Sequence, residues 1–325
     1  MKPWQDKILM SDTKYFRVRL NALPPGQPIP FDLFVQIGAK HIHYLRAGDK
    51  MDAFRLHNFE QKAPESFYVN STEFEKYKKF IHDQVHGDTL KPHEKALILR
   101  ESSMALVEEL FESEDIERAL NESKAIIDNF IEFMGSDSSA MAHLVGLSSH
   151  DFYTYNHSLD VSIYCLGLAQ AAGYSEADLR EIGIGGLFHD IGKRNVPMEI
   201  ITKRGGLDDS EWALMQKHPQ FGLIILEEHG SSDNVKACCF EHHESFLGNG
   251  YPQSLSGPEI HHMARITAIA DTYDALTTKR SYNQPMRPTE AVEMIKTKLA
   301  GRYDPELLKA LYEVLFQMQK EKIAV

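Results

Sequence analysis

Phe188-His189-Asp190-Ile191-Gly192-Lys193 sets an imidazole beside a carboxylate, then a glycine, then a lysine. Just upstream, Ile182, Ile184, Leu187 and Phe188 would anchor a helix in a core and leave the His-Asp pair at its polar end. Such a pair suits metal binding. A neutral imidazole offers one nitrogen, and a carboxylate offers two oxygens, enough to bridge two ions. Gly192 can end or turn the helix, and Lys193 can then reach a phosphate near the metals. A lone His-Asp dipeptide is common and usually lies on a surface. Its weight here comes from the histidines and carboxylates placed around it.

From residue 138 onward the pattern is helix after helix with short turns. The spacing predicts helices over 140–147, 155–172, 175–189, 208–228, 235–244, 258–277, 288–299 and 305–319, many opened by a Ser, Asp or Pro signal such as Ser175, Asp208 and Pro258. No strand ladder is expected there. His157, His189, Asp190, His218, His242, His243 and Asp271 each fall within or at the end of one of these helices. Asp271 interrupts the apolar run Ala268-Ile269-Ala270, where a buried carboxylate must be paired or bind metal. Any one of these histidines reads more simply as a satisfied core or surface residue. The full set would require five histidines and two carboxylates to be placed independently.

Residues 13 to about 70 read as a small α+β or β-rich unit. Tyr15 to Leu20 alternates apolar and charged residues as a half-buried strand does, and Phe31–Ile37 and His41–Leu45 flank Gly38-Ala39-Lys40 as a hairpin would. A short helix is expected over 52–59 and a last strand over 66–69. His41, His43 and His57 read as exposed histidines rather than a metal site. Ser71-Thr72-Glu73 opens a helical region in which 92–111 and 116–134 form two long amphipathic helices. These could couple two domains, form a homodimer interface, or simply be the first helices of the large domain, which is the plainest reading. The expected organisation is a small N-terminal domain over 1–70, coupling helices over 71–137 and an all-α domain over 138–325.

The charged and hydrophobic fractions, 25% and 42%, are ordinary for a globular protein. The formal net charge of -12 argues against a polymeric nucleic acid or an anionic membrane as partner, since both demand a basic face. It leaves room for a small anion, because divalent metals can invert the local field. The three cysteines form neither a disulfide framework nor a zinc ribbon. No apolar run reaches spanning length, and Met1-Lys2-Pro3-Trp4 starts no signal peptide. A cytoplasmic location is the expectation.

The ordered series His157-Ser158; His189-Asp190-Ile191-Gly192-Lys193; Lys217-His218-Pro219; His242-His243-Glu244; Gly250-Tyr251-Pro252; Ala270-Asp271; Asp274-Ala275-Leu276; and Arg280-Ser281-Tyr282 resembles the HD-GYP subgroup of the HD phosphohydrolase superfamily over about residues 150 to 320. The fold this implies is mainly α, a helical-bundle HD-GYP domain preceded by a small α+β or β-rich domain of regulatory type. The activity implied is hydrolysis of cyclic di-GMP, a bacterial second messenger, with protein partners in that signalling. His157, His189, Asp190 and Asp271 would hold one ion, and Asp190 would bridge to a second held by His218, His242 and His243. Family enzymes with a third metal carry a Glu where Tyr153 stands, so the resemblance implies two divalent ions; the mixed N/O ligands suit iron or manganese.

Ions sharing a carboxylate would lower the pKa of a bridging water and hold the phosphoryl oxygens. Asp190, Lys193 and Asp274 are the candidate catalytic residues: Lys193 to neutralise phosphate charge, Asp274 to orient water or a ligand group from one turn beyond Asp271. Gly250, Tyr251, Pro252, Arg280 and Tyr282 join Lys193 as candidate substrate contacts, with Tyr251 lining a guanine or ribose pocket. The sequence departs from the family in loops expected to face the substrate. Ser245 and Leu247 replace a basic residue and an Asp or Asn, and Asn283 stands where a basic residue often holds phosphate. Those departures motivate two alternatives: a nucleotide sensor or protein scaffold with little turnover, and a phosphohydrolase acting on another nucleotide.

Overall fold

The structure, a computed structural model, describes residues 14–50, 67–112, 115–147, 154–203, 205–278 and 285–323. The chain divides into two units, Met1–Thr89 and Leu90–Val325. The division falls inside the stretch that the sequence reading set apart as coupling helices.

In the first unit, β1 (Tyr15–Val18), β2 (Leu33–Ile37), β3 (Lys40–Leu45) and β4 (Phe67–Asn70) form one antiparallel sheet in the order β1-β4-β2-β3. The period-2 pattern sorts the faces: Phe16, Val18, Leu33, Val35, Phe67 and Val69 are buried. Helix α1 (Phe74–His86) covers that face with Phe74, Tyr77, Phe80 and Ile81, and Phe74 stacks on Phe16 with centroids 4.0 Å apart. The hairpin expected around Gly38 is present, with Ile37 paired to Lys40 and Gly38 at φ 60°. His41 stacks on Tyr15 at 3.9 Å, and exposed His43 lies 3.2 Å from Asp32. His57 and the helix expected over 52–59 lie outside the described residues.

The second unit is helical: α2 (Pro92–Glu112), α3 (Ile116–Ser136), α4 (Ala140–Gly146), α5 (Thr154–Ala171), α6 (Glu176–Phe188), α7 (Met198–Ile201), α8 (Asp209–Met215), α9 (His218–Glu228), α10 (Asp233–Glu241), α11 (His262–Thr277), α12 (Pro288–Met294) and α13 (Pro305–Ile323). Helix α6 is the centre. Ser175 and Asp178 close a capping box at its start, and every residue from Ile182 to Phe188 is buried. A helix apolar all round needs neighbours on all sides, and α3, α5 and α10 supply them. Where sequence periodicity runs a single helix over 208–228, the structure breaks it between Met215 and His218. Pro219 is the reason: it lacks an N–H and disfavours helical backbone just before it, so it starts a new helix. Among the described residues no helix is long and apolar enough to cross a membrane.

Candidate metal centre

Five segments converge at the C-terminal end of α6. His189 and Asp190 follow its last turn, α5 brings His157, the N-terminus of α9 brings His218, His242 and His243 follow α10, and α11 brings Asp271. Three overlapping donor groups result, each within 4.8 Å: His157, His189 and Asp271; His189, Asp190 and His242; His218, His242 and His243. Asp190 lies between the outer two. Its Oδ2 is 3.5 Å from His157 Nε2 and 3.4 Å from His189 Nε2, and its Oδ1 is 3.2 Å from His218 Nε2 and 3.8 Å from His242 Nε2. All seven residues read from the sequence as metal ligands thus meet in one cluster.

The backbone fixes the tautomers. His189 Nδ1 donates to Gly186 O at 2.7 Å, His218 Nδ1 to Met215 O at 2.8 Å and His242 Nδ1 to Cys239 O at 2.8 Å. A carbonyl only accepts, so each Nδ1 carries a proton and each ring turns its Nε2 inward. The repeated offset of three residues has one cause: each histidine follows a last helical turn whose carbonyls lack intrahelical partners. His218 Nε2 and His242 Nε2 consequently face each other at 3.4 Å. His189 Nε2 and Asp190 Oδ1 are buried without a hydrogen bond. Buried acceptors that converge with no proton between them fit a divalent cation, and their second-side hydrogen bonds are those that orient metal-binding imidazoles.

Electrostatics point the same way. Burial would raise the Asp190 carboxyl, but Lys193 and the surrounding imidazoles outweigh it and hold it well below the usual range. Asp271 is lowered as well, because the imidazoles led by His157 outweigh burial. Burial and neighbouring imidazoles hold His242 well below its ordinary value, and burial pushes His243 down to about 3. These are the ionisation states that metal ligation demands. His157 is the exception. Burial opposes its charge, yet hydrogen bonds to Asp190 and Asp274 push it up to about 9.

Asp274 is fully buried, and its Oδ2 accepts from His157 Nδ1 at 2.7 Å while Oδ1 accepts from Thr278 Oγ1 at 3.0 Å. The sequence reading has Asp274 orient water or a ligand group; one turn of α11 puts it behind His157, where its carboxylate holds the ring. Lys193 bonds Asp190 Oδ2 and is 29% exposed, so it sits at the cluster's solvent side. Gly192 does not end α6, which stops at Phe188; it lies in a 3-10 turn over Ile191–Asn195. A Cβ there would stand 1.9 Å from His218 O, so glycine is what lets the His-Asp turn approach α9.

The Gly250-Tyr251-Pro252 loop packs on the cluster. Tyr251 tilts over His243, with centroids 4.7 Å apart. A Cβ on Gly250 would meet Ser245 N at 2.4 Å, so glycine is required for this approach as well. The sequence reading missed the group that holds the loop. Buried Glu244 accepts from Gln253 N at 2.6 Å and Leu255 N at 3.1 Å. The available signal was an acid just before a turn-rich segment whose N–H groups need acceptors. Ser245 is buried, and its hydroxyl accepts from Leu247 N within the turn. Leu247 is 66% exposed. Tyr153, Arg280, Tyr282 and Asn283 lie outside the described residues.

The profile of the HD domain family matches residues 139–307, just over half of the chain. A cyclic di-GMP phosphodiesterase of Pseudomonas aeruginosa, PA4108, is 33% identical over 223 residues, covering 68% of this chain and 54% of the relative. The 3′3′-cGAMP-specific phosphodiesterase 2 of Vibrio cholerae is 38% identical over 159 residues, covering 48% of this chain and 30% of the relative. The chain therefore spans about half the length, or less, of these curated relatives. Bd1817, a HDG"Y"P protein from Bdellovibrio bacteriovorus, superposes with a TM-score of 0.72 at 23% identity, covering 93% of this chain and 99% of that one, a likeness of fold. The His-Asp turn closing α6, the divalent-metal donors gathered on it and the profile match agree: this chain belongs to the HD domain family.

Proposed function

We propose that this protein is a metal-dependent phosphodiesterase that hydrolyses cyclic di-GMP to the linear dinucleotide, GMP or both. The observation that carries the reading is Asp190, a buried carboxylate with one oxygen toward His157 and His189 and the other toward His218 and His242. Relatives named for cyclic di-GMP and for 3′3′-cGAMP support the substrate class. His157, His189, Asp190 and Asp271 would hold one divalent ion, and Asp190, His218, His242 and His243 a second, of iron or manganese type. Bound ions supply a water-derived nucleophile at neutral pH and positive charge for the phosphoryl oxygens. Asp274 keeps His157 in register, and Glu244 keeps the Tyr251 loop against His243. Lys193, beside Asp190 and partly exposed, brings positive charge to the phosphate as the P–O ester bond breaks. A cytoplasmic location, a homodimer, protein partners in cyclic-dinucleotide signalling, and a regulatory part for the N-terminal unit complete the proposal.

One observation favours a second reading, a nucleotide sensor with little turnover. Leu247 exposes an apolar side chain where the family carries an Asp or Asn. The test is anaerobic loading with ferrous iron or manganese, a count of bound metal, and chromatography after adding cyclic di-GMP or 3′3′-cGAMP. Linear product that vanishes in Asp190→Ala is expected. Metal-replete protein that binds either nucleotide and releases no product would overturn the hydrolase reading in favour of the sensor.

A further inference from the structure

Beyond the cluster, one aromatic side chain is both exposed and fixed. Trp212 on α8 is 48% exposed. The helix that carries it is short but held at two points. Asp208 and Glu211 close a capping box at its start, and Lys203 Nζ bonds Glu211 at 2.5 Å. The indole meets the Tyr251 ring nearly edge to face, with centroids 6.4 Å apart and planes at 80°. Tyr251 in turn lies over His243, which lies 4.0 Å from His242. A ladder of rings thus runs from the metal-ligand cluster to solvent and ends on an indole. The other exposed large hydrophobics among the described residues, Ile37, Ile42, Met198, Ile224 and Leu247, are aliphatic.

We propose that Trp212 is a stacking surface for a nucleobase of the bound nucleotide. The inference rests on the reading of the cluster as a phosphodiester site and deepens it. A phosphate held at the cluster tethers its base, through one ribose, to the immediate surroundings. Tyr251 is occupied against His243, whereas the indole next in line keeps an open surface. Stacking on such a ring is worth about tenfold or more in affinity per base, and it tolerates different bases because each has a π-face. Trp212 would therefore set affinity for cyclic dinucleotides as a class, while orientation of the phosphate is left to the cluster.

The test uses fluorescence and kinetics together. The chain has two tryptophans, Trp4 and Trp212, so Trp4→Phe leaves the indole of Trp212 as the sole reporter. Metal-loaded Trp4→Phe protein is titrated with GMP and, separately, with ribose 5-phosphate, which carries the phosphate and no base. Saturable quenching by GMP and none by ribose 5-phosphate is expected. In the wild-type background Trp212→Ala should raise KM for cyclic di-GMP about tenfold with kcat changed less than about twofold, and Trp212→Phe should recover most of the loss. If wild-type protein turns over cyclic di-GMP while GMP leaves the fluorescence unchanged and Trp212→Ala leaves KM unchanged, the stacking inference is overturned and the hydrolase reading stands. A fall in kcat at constant KM would also overturn it, since it marks a structural role. Quenching by GMP in a protein that hydrolyses no cyclic dinucleotide would leave the base platform standing and sink the hydrolase reading.

Discussion

Asp274→Asn keeps the shape of the buried side chain behind His157 and removes its charge. In metal-free protein His157 is pushed from 6.5 up to about 9, which corresponds to about 3 kcal/mol favouring the imidazolium. Asp274 supplies both a hydrogen bond and a Coulomb attraction to this ring, so its charge accounts for about 2 kcal/mol of that preference. The sign follows from linkage. A group whose pKa is raised by folding stabilises fully below its unfolded value, near pH 6.5, and the contribution is lost as pH rises through about 9. Chelator-stripped wild-type protein should thus exceed the variant by about 2 kcal/mol at pH 6, and the gap should close towards pH 10. Denaturant melts of both proteins across that range measure it. Metal binding also has to expel the His157 proton, so affinity is best compared near pH 9, where the variant should bind about 10- to 100-fold more weakly because the ring loses its orienting partner. Parallel stability curves together with equal metal affinity would refute the assignment of Asp274 as the residue that sets His157.

Three further outcomes follow from the geometry. Gly192→Ala puts a Cβ 1.9 Å from His218 O; the His-Asp turn must withdraw from α9, and the purified variant should hold less than half of the wild-type metal by elemental analysis. Glu244→Ala removes the acceptor for Gln253 N and Leu255 N, so metal content should persist while KM rises and limited proteolysis near residues 250–255 speeds up; an unchanged KM would exclude Glu244 as the loop's anchor. Arg100 and Asp160 form a buried pair at 2.7 Å between α2 and α5. Arg100→Met should cost about 3–5 kcal/mol in denaturant melts by removing the cation that pairs with buried Asp160, and adding Asp160→Leu should recover much of it.

The residues proposed as metal ligands stand out in the sequence because donors of this kind break a simple pattern. His189-Asp190 ends an apolar run, and Asp271 interrupts another; a charged or imidazole group next to a core demands a reason that short-range reading can detect. The alternation in β1 and the turn at Gly38 were legible because strand faces and hairpin turns are local. Other features depended on the neighbour rather than on the residue. Gly192 reads as a helix stop until the carbonyl of His218 is found against it. Asp274 reads as a group that orients water or a ligand group, and only the packing of α11 on α5 brings its carboxylate to His157. Glu244 reads as part of a motif until the chain folds back to bring Gln253 and Leu255 to it. The break before His218 lay in Pro219, a local signal that the apolar periodicity over 208–228 concealed. By itself the sequence determined which residues are chemically equipped, since that depends on side-chain type and spacing along one helix. Only the tertiary structure decided which of them touch, because a 3-10 turn, a close approach at a glycine and a buried carboxylate are settled between segments far apart in the chain.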